Sequence, residues 1–206
     1  AGKPILFDAI EFDESIATID ILYDLAFLVM DLCERGLNVQ ACDLLNRYLW
    51  LSDDEIGEIE GLVLLPMFLA LRAAIRAKIL VAQADLTKDT NVLFSEARRY
   101  VDAAALFLAP ATQCLIAVGG LSGTGKTTLA SGLAPEFGAP PGALHLRSDI
   151  ERKKAFGASE FTRLKRDAYS SAASAEIYQR LGELGEAGIR AGRCVIVDAT
   201  FQQEAD

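Results

Sequence analysis

The sequence predicts an α/β domain with a parallel sheet in its second half, preceded by a mostly helical first half. The first observation is a glycine-rich loop, Gly120–Thr127, which fits the phosphate-binding pattern G-x-x-x-x-G-K-[ST]. The second is its setting, because the apolar run Leu115–Gly119 has strand length and Thr127–Ala134 has helical spacing of its leucines. The third is the recurrence of apolar residues every three or four positions from Ile19 to Gly36, which is typical of a helix.

The charge is unevenly distributed between the two halves. Of a net charge of −9, residues 1–110 contribute 9 Lys/Arg against 18 Asp/Glu, whereas residues 111–206 contribute 11 against 11. This asymmetry, with the helix-ending Pro110, predicts two domains, 1–110 and 111–206. A chain without a broad positive field is not expected to bind nucleic acid in general.

The first half reads as a short β element followed by about five helices. A strand, or a strand and turn, is expected within residues 4–13. After the helix that ends at Gly36, further helices are expected at 39–51, 53–60, 62–84 and 92–108, the second of them capped by Ser52. The long apolar stretch 62–84 contains three basic residues, so it predicts a buried helix and no membrane partner.

The cysteines indicate a reducing compartment. They lack C-x-x-C spacing and lie in apolar or helical contexts, which predicts buried, reduced thiols. They are Cys33, Cys42, Cys114 and Cys194. No signal-peptide pattern is visible in the first residues, so a cytoplasmic location is expected. The single histidine, His145, excludes a histidine-rich metal site.

The glycine loop predicts a site for ATP and Mg²⁺. Strand, loop and helix together direct loop N–H groups and the positive end of the helix at phosphate oxygens. Lys126 is expected to reach the β and γ phosphates, and the Thr127 hydroxyl to bind Mg²⁺. The residues expected to hold the nucleotide are Gly120, Ser122, Gly123, Thr124, Gly125, Lys126, Thr127 and Thr128.

An acid and an arginine come after the next expected strand, 143–147. In a parallel sheet, ligands lie beyond the carboxyl ends of the strands, which is where Asp149 falls. Asp149 could orient or deprotonate an acceptor hydroxyl, and Arg152, one helical turn on, could hold a substrate anion. The alternative is that Ser148 or Asp149 only caps the next helix. Lys153 and Lys154 are expected to form a solvated face.

The last strand of the sequence also ends in an acid. A long helix is expected over 161–188, and then the strand Cys194–Asp198. Asp198 is either the Mg²⁺-linked carboxylate of such a sheet or an ordinary strand-end acid. Hydrolytic motors commonly place Glu next, and Ala199 stands there instead, which favours transfer to a bound acceptor over hydrolysis of ATP.

These motifs resemble the small-molecule P-loop kinases, a group that includes gluconate-kinase-like, polynucleotide-kinase-like and zeta-toxin-like enzymes. The resemblance rests on Gly120–Thr127, Arg147–Arg152 and Val195–Thr200. It implies transfer of the γ-phosphate of ATP to a hydroxyl of an unidentified small molecule. It also implies an arginine-bearing lid, which is expected beyond Asp206, so this piece is expected to bind nucleotide better than it catalyses.

The first half resembles the C-terminal lobe of aminoglycoside-phosphotransferase-like kinases, through Phe7–Asp13 and the later segment Ile19–Leu28. There an I-D-F-type segment supplies a Mg²⁺-binding acid. Glu11 best matches that acid, with Asp8 as second choice, although the family normally has Asp. The nucleotide lobe and H-G-D segment of such a kinase would precede Ala1, so the resemblance implies a bacterial two-part family in which this chain is a fragment.

Two other functions remain open from the sequence. One is a regulatory module, in which ATP binding alters the docking of the two domains and nothing is phosphorylated. The other is a kinase of polynucleotide 5′-hydroxyl ends, which requires a basic groove that the neutral second half does not favour.

Overall fold

The first half of the chain is helical in the computed structural model, which describes residues 19–84 and 90–201. Its helices are α1 (Ile21–Glu34), α2 (Asn38–Leu51), α3 (Glu55–Gly61), α4 (Leu65–Ala84) and α5 (Thr90–Phe107), with a 3-10 turn at Leu62–Leu64. The expected helices are therefore present, with ends shifted by a few residues. The β element expected within 4–13 lies outside the described residues.

Local side chains fix where two of these helices begin. The Asp20 carboxylate accepts a hydrogen bond of 2.8 Å from the Leu22 amide and so caps α1. At α3 the prediction of Ser52 as the cap is wrong, because Asp54 accepts from the Gly57 amide at 3.1 Å. The Ser52 hydroxyl instead accepts from the Asp54 amide, which orders the turn just before the helix.

Helix α4 is the central helix of this half. It packs against α1 and α5, and residues along one side of it are fully buried, among them Leu65, Leu69 and Ala73. The prediction of a buried helix is confirmed for this side only, because Met67, Leu71 and Ile79 on the other side are 42–49% exposed. Within 19–84 and 90–201, no helix combines the length and hydropathy needed to cross a membrane.

The second half forms a three-stranded parallel sheet flanked by helices. The elements are β1 (Leu115–Val118), α6 (Lys126–Leu133), β2 (Leu144–Arg147), α7 (Ser148–Ala155), α8 (Ser171–Arg190) and β3 (Val195–Asp198). The strand order is β1-β3-β2. Val118 and Arg147 both lie opposite Asp198 in the register, so the carboxyl ends of all three strands meet at one edge. That edge is where a parallel sheet binds its ligand.

Helix α8 is shorter than expected. The prediction of one helix over 161–188 is wrong at its start, because a 3-10 turn, Arg166–Tyr169, precedes a helix that begins at Ser171. Ser170 has an extended backbone and its hydroxyl accepts from the Ala173 amide at 3.3 Å, which starts the helix there. The apolar face of this helix is buried, through Ile177, Leu181 and Leu184.

One hydrophobic core extends from the helices of the first half into the sheet of the second. It includes Met30 and Leu69 from the first half together with Leu144, Leu184 and Val195 from the second. All five side chains are essentially inaccessible to solvent. The two halves are thus packed together, and the boundary at residue 110 stays a prediction.

Lys154 joins the two halves through polar contacts. Its ammonium group donates to the Trp50 carbonyl at 3.1 Å, the Ser52 carbonyl at 2.9 Å and the Glu55 carboxylate at 3.0 Å. All three donors of the ammonium group are therefore used. The prediction that Lys154 belongs to a solvated face is wrong, because α7 lies against the end of α2 and the start of α3.

A second acid is buried beside this contact. The Glu151 side chain is only 4% exposed and lies 3.9 Å from the Arg180 guanidinium. Burial raises the pKa of Glu151 to about 7, and the neighbouring Glu55 charge adds to the rise, while Lys154 and Arg180 oppose it. Below about pH 7 the protonated carboxyl is thus favoured in the folded protein.

The disulfide between Cys114 and Cys194 contradicts the prediction of four reduced thiols. These residues directly precede β1 and β3, and the register places Leu115 opposite Val195. The preceding Cα atoms are therefore neighbours, 4.6 Å apart. Cys33 and Cys42 are free thiols. The expectation of a cytoplasmic location loses the support that it drew from reduced cysteines.

Replacing Glu151 by Gln should change how stability depends on pH. A carboxyl whose folded-state pKa is raised contributes stability below its unfolded pKa, and this contribution is lost as the pH rises through the folded value. Relative to wild type, the unfolding free energy of Glu151→Gln should therefore increase between about pH 4.5 and 7 by up to ~3 kcal/mol.

Urea unfolding across that pH range measures the difference. Glu176→Gln, at an exposed position of the same helix as Arg180, is the matched control and should show a flat difference. A flat difference for Glu151→Gln as well would contradict the raised pKa.

Candidate nucleotide-binding site

The glycine loop connects β1 to α6 through a backbone with positive φ at three glycines, the first of which is Gly120 with φ of 145°. Gly123 and Gly125 have φ of 80° and 87°, in the left-handed region that L side chains rarely adopt. Gly125 is the N-cap of α6 and has no side chain to occupy the helix end. The first amides of α6 are therefore open to an anion from outside the loop, as phosphate binding requires.

Lys126 folds back over the loop. Its ammonium group donates to the Leu121 carbonyl at 2.8 Å, and the Thr124 hydroxyl donates to the same oxygen at 2.8 Å. Both contacts are exposed, so the Lys126 side chain can exchange the carbonyl for a phosphate oxygen without breaking a buried interaction. A charge-assisted bond to phosphate is stronger than the bond to a neutral carbonyl that it replaces.

Thr127 and Asp198 meet across the end of the sheet. The Thr127 hydroxyl donates to the Asp198 carboxylate at 2.5 Å, which links the first turn of α6 to the last residue of β3. Burial pushes the pKa of Asp198 upward, but the neighbouring His145 ring, the hydrogen bond from Thr127 and the charge of Lys126 outweigh it and lower the pKa below its usual value. His145 Nε2 lies 3.7 Å from the same carboxylate. Asp198 is thus an ionised carboxylate whose oxygens are available to a cation.

The donor set at this point fits Mg²⁺. Mg²⁺ is usually held by one or two protein oxygens, with phosphates and water completing its shell, and the Thr127 hydroxyl and Asp198 carboxylate supply two such oxygens. Within the described ranges, no group of three or more His, Cys, Asp or Glu side chains lies close enough together to hold a metal ion. The described residues therefore do not form a metal site made of protein ligands alone. Glu11 and Asp8, proposed from the resemblance of the first half, lie outside the described residues.

A cavity of about 550 Å³ opens at the carboxyl ends of the strands. This volume is typical of a small-molecule site. The cavity brings together side chains that the sequence analysis had singled out on three separate segments. They are Ser122, Lys126, Thr127, Asp149, Arg152 and Asp198, with Gly123 between them. Gly120, Thr124, Gly125 and Thr128 belong to the same loop and first helical turn but are not among the lining residues.

Asp149 is half exposed at the start of α7. Its carboxylate accepts from Lys153 at 2.7 Å, and Lys153 also donates to the Glu160 carbonyl at 2.6 Å. Lys153 is therefore held between two acceptors. The prediction that Lys153 belongs to a solvated face is wrong. The helix starts at Ser148 after Arg147, with no side-chain capping bond, so capping does not account for Asp149.

Arg152 faces the cavity but is already bonded. One guanidinium nitrogen donates to the Ala168 carbonyl at 2.6 Å and lies 3.4 Å from the Ser174 hydroxyl. The guanidinium also stacks on the Tyr169 ring, 5.0 Å from its centroid. Arg152 thus holds the segment before α8 against α7, and its expected role toward a substrate anion stays a prediction.

Sequence reasoning missed several cavity residues. Arg147 Nε is buried and makes no hydrogen bond within the described part of the chain, which suits an arginine that receives an anionic oxygen from a ligand. Its position, two residues before Asp149 in the recognised Arg147–Arg152 motif, was the available signal. The other missed lining residues are hydroxyl-bearing: Ser148, Tyr169, Ser174, Tyr178 and Thr200. Most come from α8 and the turn before it, and no local pattern marked them.

Comparison with known proteins identifies the second half. Residues 115–206 match the family model of an AAA domain. Three uncharacterized proteins, one of Mycobacterium bovis and two of Mycobacterium tuberculosis strains, are 30% identical to this chain over 204 residues. The match covers 97% of this chain, so in those relatives similar first and second halves occur in one polypeptide.

The chain spans 39% of the length of these curated relatives. No solved structure matches it. The resemblance of residues 1–110 to aminoglycoside phosphotransferases stays a prediction. The match of residues 115–206 to an AAA domain and the parallel sheet with its flanking helices are together consistent with the fold of a P-loop nucleotide-binding domain.

Proposed function

We propose that this domain binds ATP with Mg²⁺ and transfers the γ-phosphate to a hydroxyl of a small molecule. The observation that carries the proposal is the cavity itself, which is lined by Lys126 and the Thr127–Asp198 pair as well as by Asp149. A nucleotide site alone needs the first three residues. An acceptor site needs a further carboxylate within the same cavity, and Asp149 supplies it.

The nucleotide side of the site carries the groups that stabilise the negative charge of the phosphates. Loop amides and Lys126 would bind the β and γ phosphates, and Thr127 and Asp198 would hold Mg²⁺, which would neutralise charge on the phosphate oxygens. Arg147, with its buried unpaired Nε, adds a second cation to the same cavity. Phosphoryl transfer is catalysed mostly by positioning and by such charge stabilisation.

The acceptor side supplies the base. The acceptor oxygen forms a bond to the γ phosphorus while the bond from that phosphorus to the β–γ bridging oxygen breaks, which releases ADP. The hydroxyl proton passes to the Asp149 carboxylate and from there to solvent. Lys153, bonded to both Asp149 and the Glu160 carbonyl, keeps this carboxylate oriented.

The residue after Asp198 favours transfer over hydrolysis. Ala199 is buried, with 1% of its surface exposed, and has no carboxylate to activate water. The hydroxyl-rich lining contributed by Tyr169, Ser174, Tyr178 and Thr200 matches a polar, hydroxylated acceptor. The alternative of a purely regulatory ATP site does not explain why Asp149 shares this cavity.

Lys126→Ala should weaken ATP binding by about 100-fold, because its ammonium is the only side-chain cation of the loop Gly120–Thr127 and charge-assisted bonds to phosphate are among the strong ones. Isothermal titration calorimetry of ATP into wild type and variant measures the change. Lys78→Ala, on exposed α4 surface, is the control. Undiminished affinity in Lys126→Ala would remove the nucleotide assignment.

Asp149→Asn should leave ATP affinity unchanged and reduce transfer by at least about 100-fold, the usual contribution of a general base. The measurement is transfer of labelled γ-phosphate to a panel of polyols by the protein. Asp102→Asn, exposed on α5, serves as control. Turnover at the wild-type rate in Asp149→Asn would leave Asp149 without a catalytic role.

Asp198→Asn should remove the gain in ATP affinity that Mg²⁺ provides, since an amide oxygen carries no charge for the metal. ATP affinity in the presence of EDTA should be the same in variant and wild type, because the loop and Lys126 are intact. The two calorimetric titrations, with Mg²⁺ and with EDTA, separate these contributions. If Mg²⁺ increased the ATP affinity of the variant as much as that of wild type, Asp198 would not be a ligand of the metal.

A further inference from the structure

The first half of the chain reaches the nucleotide domain at an exposed strand edge. In the order β1-β3-β2, strand β2 is an outer strand of the described sheet. The Asn46 side chain of α2 lies along its outer edge, where Oδ1 accepts from the His145 amide at 2.7 Å and Nδ2 donates to the Ala143 carbonyl at 3.1 Å. One side-chain amide thus pairs with the strand as a neighbouring strand would.

The orientation of Asn46 is itself fixed. Nδ2 also donates to the Cys42 carbonyl, one turn earlier in α2, at 3.0 Å. Both protons of the amide are therefore directed, one into α2 and one onto β2. The contact joins residues 97 and 99 positions apart, so it is a tertiary contact.

A second contact holds the other end of the same unit. Strand β2 continues without a break into α7, and Lys154, near the end of α7, donates to the Trp50 and Ser52 carbonyls. These carbonyls lie at the carboxyl end of α2, where a cation is favoured by the helix dipole. Helix α2 therefore forms hydrogen bonds with both ends of the β2–α7 unit.

A third contact reaches the candidate base. Arg47, next to Asn46, makes a two-pronged pair with the Glu160 carboxylate, with both nitrogen–oxygen distances 3.1 Å. The Glu160 carbonyl accepts from Lys153, which donates to Asp149. The network thus runs from α2 to the carboxylate on the acceptor side of the cavity.

Between these two contacts with α2, the β2–α7 unit carries four residues that line the cavity: Arg147, Ser148, Asp149 and Arg152. We propose that α2 is a positioning element of the nucleotide site, with Asn46 as its key residue, so that docking of α2 and binding of Mg·ATP stabilise each other. This inference rests on the proposed function. Coupling of this kind is reciprocal: if α2 favours the binding-ready site, the bound nucleotide must hold α2 more firmly.

The coupling can be measured in two independent ways on the full chain. In wild type, a non-hydrolysable ATP analogue with Mg²⁺ should slow hydrogen–deuterium exchange in α2 peptides as well as in the loop. In Asn46→Ala, the analogue should bind about tenfold more weakly, within the usual range of coupling between sites. Asn46→Asp, which sets an anionic oxygen against the Ala143 carbonyl, should weaken binding at least as much.

Asn91→Ala, at an exposed position of α5, is the matched control and should bind as wild type does. A variant that merely loses folded protein would lower the number of sites per chain and leave the affinity of the remaining sites unchanged. The affinity and the stoichiometry from one titration therefore separate positioning from loss of fold.

The outcomes distinguish this inference from the function on which it rests. If wild type fails to bind the analogue, the proposed function falls and the coupling with it. The other case is that wild type binds the analogue, with slower hydrogen–deuterium exchange confined to residues 115–201. If the Asn46 variants then also bind it with wild-type affinity, the coupling alone is overturned.

Discussion

The contact between Thr127 and Asp198 is the constraint on which the site depends. It joins the glycine loop to the neighbouring central strand, because β1 and β3 run parallel and in register, so Val118, which leads into the loop, lies opposite Asp198. Without that register the hydroxyl and the carboxylate would not face one metal. The same register places Arg147, and the helix that carries Asp149, on the other side of Asp198. One sheet edge therefore assembles three segments that are far apart in the chain.

The helical half packs against the second half and is not a separate body. It shares a core with the sheet, and its polar contacts fall on the unit that carries the acceptor-side residues. Lys154 and Asn46 both satisfy backbone groups of the opposite half. Buried backbone groups require such partners. The observation that relatives contain similar first and second halves in one polypeptide is consistent with this mutual dependence.

Sequence reasoning predicted what is encoded locally. The loop, its flanking strand and helix, the strand-end acids and the five helices can be read from spacing and composition, since helical periodicity and glycine patterns are short-range signals. It failed where partners are distant: Lys154 was taken for a surface residue, although its acceptors lie about a hundred positions earlier. Cys114 and Cys194 were likewise predicted to be thiols, because only the strand register reveals that they are neighbours. The start of α8 was misplaced because the residues between 161 and the Ser170 cap include no Pro or Gly that would mark a break.

The most direct measurement for the central claim is a crystal structure of this chain with Mg²⁺ and a non-hydrolysable ATP analogue. We expect Lys126 to leave the Leu121 carbonyl and bind the β and γ phosphates. We also expect a metal ion bound by Thr127 and Asp198, with the γ-phosphate directed toward Asp149. A triphosphate bound away from the loop, or a metal that does not contact Asp198, would contradict the proposed site.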